Sequence, residues 1–225
     1  MKKLLLSALS ALTVLFATNV SASTLTDTEA GMAVTGFGDP LGNSGFTVGW
    51  TFNLTETRTI SHFGIYGSQL SDGSNNFDLD REIGLWDEAG NLLTSVTIPA
   101  GASGAEFEAI VADRGFFYSV LGTGVSVGPG QEYTIAARYD GGSAPGTFYN
   151  NTFSMASGVV YGNSVFDSAG AALSKPTTVD TTYPDGWVGP NFRLETTTPI
   201  PLPAALPMLL AALGGFGLVA RRRNS

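Results

Sequence analysis

Five oxygen-bearing side chains alternate through one short stretch, Asp72, Ser74, Asn76, Asp78 and Asp80. Ca²⁺ is held by several hard oxygens, and a loop that turns alternate side chains inward can bring them to one ion, so this stretch is the candidate calcium site. It is not an EF-hand. Phe77 stands where that loop requires glycine at its sixth position, and Ile83 stands where its bidentate glutamate belongs. An ordinary solvated loop has the same composition, and Asp78 with Asp80 could equally pair with a cation at a strand start.

Aromatic rings offer a second chemistry. Trp50, Trp86 and Trp187 carry rigid apolar faces that suit the CH-rich side of a sugar, with neighbouring Asn and Asp side chains for its hydroxyls. Trp50 shares the parity of Phe46, Val48 and Phe52 and reads as core. Trp86 at a strand end and Trp187 in a Gly-rich turn are the candidate ligand-binding residues.

Catalytic signatures are sparse. The one histidine, His62, has no GxSxG elbow, HExxH helix or H-x-E pattern to join, and reads as a strand or loop histidine. Glu106 with Glu108, like Asp78 with Asp80, supplies two carboxylates for glycoside hydrolysis but not the unlike environments that an acid and a base require. Gly128-Pro129-Gly130 is a turn, since no phosphate-cradling glycine motif follows a strand and opens a helix. Asn53-Leu54-Thr55 and Asn150-Asn151-Thr152 match glycosylation sequons.

The chain contains no cysteine, which rules out a disulfide framework, thiol catalysis and cysteine-held zinc, haem or iron–sulfur centres. Between residues 23 and 198 nineteen acidic side chains face six basic ones, a surplus of thirteen negative charges. A nucleic-acid partner is therefore not expected, because phosphate binding needs a positive footprint. Calcium is the cofactor such a surface would attract; otherwise none is implied.

The elements that must position these side chains read as strands. Phe46, Val48, Trp50, Phe52 and Leu54 alternate with smaller or polar residues, which places the large groups on one sheet face. Thr59 to Tyr66 continues with Ile60, Phe63 and Ile65, whose phase change fits a bulge. Ser68 to Asp80 reads as a polar loop. Ile83 and Leu85, the turn at Asp87 to Asn91, and Leu92, Thr94, Val96 and Ile98 form a hairpin pattern. Phe107 to Val111, Phe116 to Leu121, Gln131 to Tyr139 and Val188 to Leu194 extend the all-β reading, and Asp140 to Ser157 reads as an excursion. The expected fold is an antiparallel β-sandwich with jelly-roll-like topology, its core drawn from Phe46, Val48, Trp50, Phe52, Ile83, Leu85, Val96, Ile98, Tyr133, Ile135, Phe192 and Leu194. The segments Ile83 to Leu93, Val96 to Gly101 and Gly130 to Ile135 resemble an uncharacterised bacterial extracellular β-sandwich family found in envelope and carbohydrate-associated proteins, a likeness that carries no catalytic residues.

Both termini concern address. Lys2-Lys3 precedes an apolar run from Leu4 to Ala17, and Val20-Ser21-Ala22 places small residues before a cut between Ala22 and Ser23, the pattern of a signal peptide read by signal peptidase. At the other end Ala204 to Ala220 is apolar and stops at Arg221-Arg222-Arg223. That run would span about 26 Å as a helix, with the arginines on the cytoplasmic side. Ile200-Pro201-Leu202-Pro203-Ala204, the apolar run and the arginine triplet together resemble the Val-Pro-Leu-Pro-Ala form of the PEP-CTERM sorting tail, with Ile200 in place of its valine. The resemblance implies export in a Gram-negative bacterium, transient anchoring in the inner membrane, cleavage by an exosortase-type membrane protease, and final residence in the cell envelope or an extracellular polysaccharide matrix.

The sequence thus divides into a signal peptide (1–22), an N-terminal extension (23–41), the β-sandwich domain (42–195), a linker with the proline sorting motif (196–203), a transmembrane helix (204–220) and a basic cytoplasmic tail (221–225). The expected function is that of a non-enzymatic envelope or matrix protein that binds polysaccharide; the alternative is a secreted carbohydrate-active enzyme.

Overall fold

The structure, a computed structural model, describes residues 26–35, 40–41, 45–102, 105–139, 147–149, 152–168, 172–182 and 187–197. The signal and transmembrane helices, the cleavage residues Ala22 and Ser23, and the sorting residues Ile200 to Ala204 and Arg221 to Arg223 lie outside them. Among the described residues no helix is long and apolar enough to cross a membrane.

The chain is all-β and antiparallel. Its strands are β1 (Thr26–Ala30), β2 (Met32–Val34), β3 (Pro40–Leu41), β4 (Phe46–Leu54), β5 (Arg58–Ser68), β6 (Arg81–Trp86), β7 (Leu92–Ile98) and β8 (Glu106–Val111). They continue as β9 (Arg114–Val127), β10 (Tyr133–Tyr139), β11 (Thr147–Tyr149), β12 (Phe153–Met155), β13 (Val159–Ser168), β14 (Thr178–Val179), β15 (Trp187–Val188) and β16 (Pro190–Thr197). A five-stranded sheet has the order β1-β16-β5-β9-β8, and a six-stranded sheet the order β14-β13-β4-β10-β6-β7. Two small sheets, β15-β11-β3 and β12-β2, accompany them.

The parity of β4 explains how the larger sheets share a core. Val48, Trp50 and Phe52 are fully buried, and antiparallel register sets Trp50 opposite Ile135, which in turn lies opposite Leu85. From the five-stranded sheet Phe192 meets them, with ring centroids 5.4 Å from Trp50 and 4.8 Å from Phe52. Each such buried aromatic contributes about 1.5–3 kcal/mol through area removed from water. The indole of Trp50 stays satisfied in that interior, because Nε1 donates to the Pro190 carbonyl at 2.8 Å. Of the expected core residues, Phe46 and Val96 are half-buried at its margin and the other ten are buried.

The phase change in β5 is a bulge. Against β16 its pairing skips Ser61, between Ile60 and His62, so that Ile60, Phe63 and Ile65 all reach the interior. Three features depart from the sequence expectations. The compact unit runs Thr26–Thr196, because β1 joins β16 at the sheet edge and Met32 of β2 enters the core at 1% exposure; the described strands before position 42 are therefore part of it. β13 is a long strand paired with β4 where no strand was expected, since Gly162-Asn163 interrupts its alternation and the register shifts between Tyr161 and Ser164. β9 runs on to Val127 through Gly122 and Gly124, residues of low strand propensity that fall where its pairing with β5 shifts register between Val120 and Val125.

Candidate functional site

The five candidate calcium ligands do not converge. Oδ1 of Asp72 accepts from the Ser74 amide at 3.0 Å and from its hydroxyl at 2.6 Å, and these bonds hold the Asp72 carboxyl below the usual range. Asn76 Oδ1 instead accepts from the Ser68 amide, Asp78 pairs with Arg81 at 3.1 Å, and Asp80 accepts from the Ala100 amide. Asp72, Asn76, Asp78 and Asp80 thus each have one side-chain oxygen already engaged by an amide, a hydroxyl or a guanidinium. Among the described residues no group of three or more His, Asp or Glu side chains is placed to hold a metal ion. The organiser of the loop is a neighbour that the alternation passed over. Asn75, 1% exposed, donates to the Pro99 carbonyl and accepts from the Phe77 and Gly101 amides.

Trp86 is not an open platform. It is 3% exposed, and its ring and Leu173 both press on Gly84, where an added Cβ would lie 2.6 Å from the indole. Lys175 donates to the carbonyls of Asp87 and Glu88, fastening the segment that carries Leu173 to the turn beyond Trp86. The expected exposure fails because a residue at a strand end can be covered by chain nearly ninety positions away. Trp187 falls in β15, opposite Tyr149, and its side chain is outside the described residues.

A different place gathers charge. Gly64 of β5 has no side chain to obstruct Tyr118, whose ring would lie 2.5 Å from an added Cβ. Asn191, fully buried, donates from Nδ2 to the Tyr118 hydroxyl at 3.0 Å and exchanges bonds with the Met32 backbone. Burial first, and the nearby Glu108 second, push the Tyr118 phenol far above its ordinary value. The Arg193 guanidinium lies 4.1 Å above that ring and reaches Glu106 at 2.7 Å and Glu108 at 3.0 Å. Burial opposes its charge, but the two glutamates outweigh that and raise its pKa.

Arg193, Glu106 and Glu108 line one side of a groove of about 500 Å³, with Asp27, Thr28, Glu29 and Ala30 of β1, Ala33, Met155 and Ala156 completing it. Glu29 is itself paired with Arg58. His62 lies opposite Arg193 in register, with Nδ1 2.8 Å from Ser61 Oγ; burial first, then Arg193, lower its pKa, so it is neutral at pH 7. Ser61 and His62 are sequence neighbours in a bulge, and no carboxylate hydrogen-bonds the ring among the described residues. The groove offers carboxylate acceptors from two strands and a short apolar wall. That combination suits a ligand rich in O–H or N–H donors. Glu106 and Glu108 share one guanidinium, which gives them like surroundings, and an acid/base pair requires unlike ones.

Sequence reading reached Glu106 and Glu108 as a pair but missed Arg193, Tyr118, Asp27 and Glu29. Their signal was parity: alternate residues of β1, β8 and β16 carry the charges. No protein-family model, curated protein or solved structure matches the chain.

Proposed function

We propose that this chain is an exported, non-enzymatic envelope or matrix protein of a Gram-negative bacterium that binds polysaccharide. Its signal segment directs it across the inner membrane. Residues 204–220 hold it there, with Arg221 to Arg223 in the cytoplasm, until an exosortase-type protease cuts near Pro201 to Pro203. The observation that carries this reading is the three-part tail, in which a proline motif, an apolar run and an arginine triplet follow one another without interruption. The all-β, cysteine-free domain with its acidic excess supports it: such a domain needs no oxidative step to fold and stays soluble when released. In this reading the two large sheets form a β-sandwich with jelly-roll-like connections.

The groove beside Arg193 is the place where a glycan would bind, since Trp86 is covered. Its carboxylates favour neutral or amine-bearing sugars over acidic polymers, which would require bridging Ca²⁺. Intact-mass measurement on envelope material tests delivery: the expected species begins at Ser23 and lacks the arginine triplet. Recovery only from the cytoplasm, with Met1 and Ser225 retained, overturns it. A glycan array probed with the purified full chain, with calcium and with chelator, tests binding. The double variant Glu106→Gln, Glu108→Gln is expected to lose the signal while circular dichroism is unchanged. Time-dependent release of a glycan product would replace this reading with a secreted carbohydrate-active enzyme.

A further inference from the structure

The outermost strands of the two large sheets are β1, β8, β14 and β7. An outer strand presents unpaired N–H and C=O groups, and folded proteins ordinarily guard such an edge with charge, shortness, proline or a bulge. β1 carries Asp27 and Glu29, β8 carries Glu106 and Glu108, and β14 is two residues long and followed by Asp180. β7 differs. Its sequence, LLTSVTI, has neither charge nor proline over seven residues, and among the described residues it pairs on one side only, with β6. A register shift between Leu85 and Trp86 blunts the Leu92 end, leaving Thr94 to Ile98 as a regular, open ladder.

We propose that this edge joins a second copy of the chain, β7 against β7, antiparallel about a two-fold axis. Complementarity favours self-pairing. With the axis at Val96, Ser95 opposes Thr97 on the outer face and Thr94 opposes Ile98 on the inner face, so each residue meets one of its own kind of surface. Hydroxyl pairs of this sort contribute to cross-strand stability, and an antiparallel two-fold contact is isologous and closes at two copies. Nothing in the strand selects a charged partner. The charges flanking it on β6 and β10, Glu82 and Arg138, lie 3.9 Å apart and offset one another. The remaining acidic excess opposes association only at long range, where salt screens it beyond about 8 Å at physiological ionic strength. This inference stands apart from the proposed function, and a matrix protein would gain from it a means of bringing two grooves together.

Disulfide trapping tests it directly, because the native chain has no cysteine. The full chain in detergent is prepared as Ser95→Cys, as Thr97→Cys, and as Val160→Cys, the last an exposed site away from the edge. Under mild oxidation an equal mixture of the Ser95→Cys and Thr97→Cys chains is expected to give covalent dimer, since facing cross-strand pairs have Cα atoms about 4.5–5.5 Å apart, within disulfide reach. Dimer from Ser95→Cys alone would place the axis at Ser95 and supports the same edge. Adding Thr97→Lys to the Ser95→Cys chain and Ser95→Lys to the Thr97→Cys chain sets two ammonium groups opposite one another beside the axis and is expected to abolish cross-linking between the two chains while the circular dichroism spectrum is retained. Cross-linking of the edge variants no greater than that of Val160→Cys overturns the proposal, as does cross-linking that the two facing lysines leave intact.

Discussion

Arg81 is the least expected residue of the interior. Its side chain is 1% exposed, lies between the rings of Phe77 and Tyr139, and ion-pairs with Asp78, while Nε and Nη1 have no hydrogen-bond partner. A buried charge is costly even when paired, and its loss together with the desolvation penalty is often neutral or favourable, whereas losing only its partner is not. Arg81→Met is therefore expected to fall within about 1 kcal/mol of the parent or above it in denaturant unfolding. Asp78→Asn is expected to destabilise by about 1–2 kcal/mol, less than for a deeply buried pair because Asp78 is partly solvated. Equal losses in the two variants would show instead that the ion pair itself is net stabilising. A second residue-scale prediction concerns Ala112, whose φ of 52° lies in the left-handed region between β8 and β9. Ala112→Gly relieves that strain and should stabilise by about 1 kcal/mol, set against the extra freedom it gives the unfolded chain. An unchanged or lower denaturation midpoint would contradict this. Sequence could not reveal Arg81 as buried, because its position at a strand start suits an exposed cation equally well. Nor could it reveal the Ala112 turn, where glycine or asparagine would have announced a tight hairpin.

Strands were legible where one face is uniformly large and the other small. β4, β6 and β10 alternate without interruption, and each strand's parity fixed its buried face. The bulge in β5 was legible for the same reason, since Ile60 and Phe63 cannot share a face without one. β13 escaped because its own bulge coincides with Gly162-Asn163, so that two half-strands of opposite phase read as a loop. Its far end is tied to the next segment through Asp167, which accepts from the Thr178 and Thr177 hydroxyls and from the Thr177 amide. Burial alone would raise the Asp167 pKa; these hydrogen bonds outweigh it and hold it below the ordinary value. An aspartate with a depressed folded pKa contributes stability above its unfolded value of about 3.9, and that contribution is lost as pH falls through the folded pKa. Amide-exchange protection at Thr177 to Val179, relative to the intrinsic rate, should therefore fall below about pH 4, ahead of β4 and β10, and be low already at neutral pH in Asp167→Ala. Uniform exchange across the sheet in acid would mean that the tether carries no separate stability.

At the scale of the whole molecule the groove was not legible in the sequence. Asp27 and Glu29, Glu106 and Glu108, and Arg193 come from three distant parts of the chain, and only the strand order β1-β16-β5-β9-β8, with Arg193 reaching over Tyr118, brings them together. The same topology buries phenols on both sheets. Tyr118 on β9 and Tyr139 on β10 have pKa values driven far up, chiefly by burial, and Tyr66 on β5 is raised as well, with burial again the largest cause and Arg114 opposing it. For a tyrosine raised in the folded state, both states are protonated below the unfolded pKa of about 10 and no stability is at stake there. Above it the unfolded chain ionises while the native one resists, so stability falls steadily through the alkaline range toward the folded values. A stepwise alkaline titration should accordingly show the phenolate absorbance of Tyr66, Tyr118 and Tyr139 only as a late rise that coincides with loss of the strand signal in circular dichroism. Tyr118→Phe should move that unfolding to higher pH, because it removes one group that ionises only on unfolding; Phe keeps the ring beneath Arg193 but leaves Asn191 short of an acceptor, so some stability near neutral pH is lost in exchange. Complete phenolate titration near pH 10 with the sheets still intact would show that these rings are open to solvent, and with them the face of the five-stranded sheet on which the groove is built.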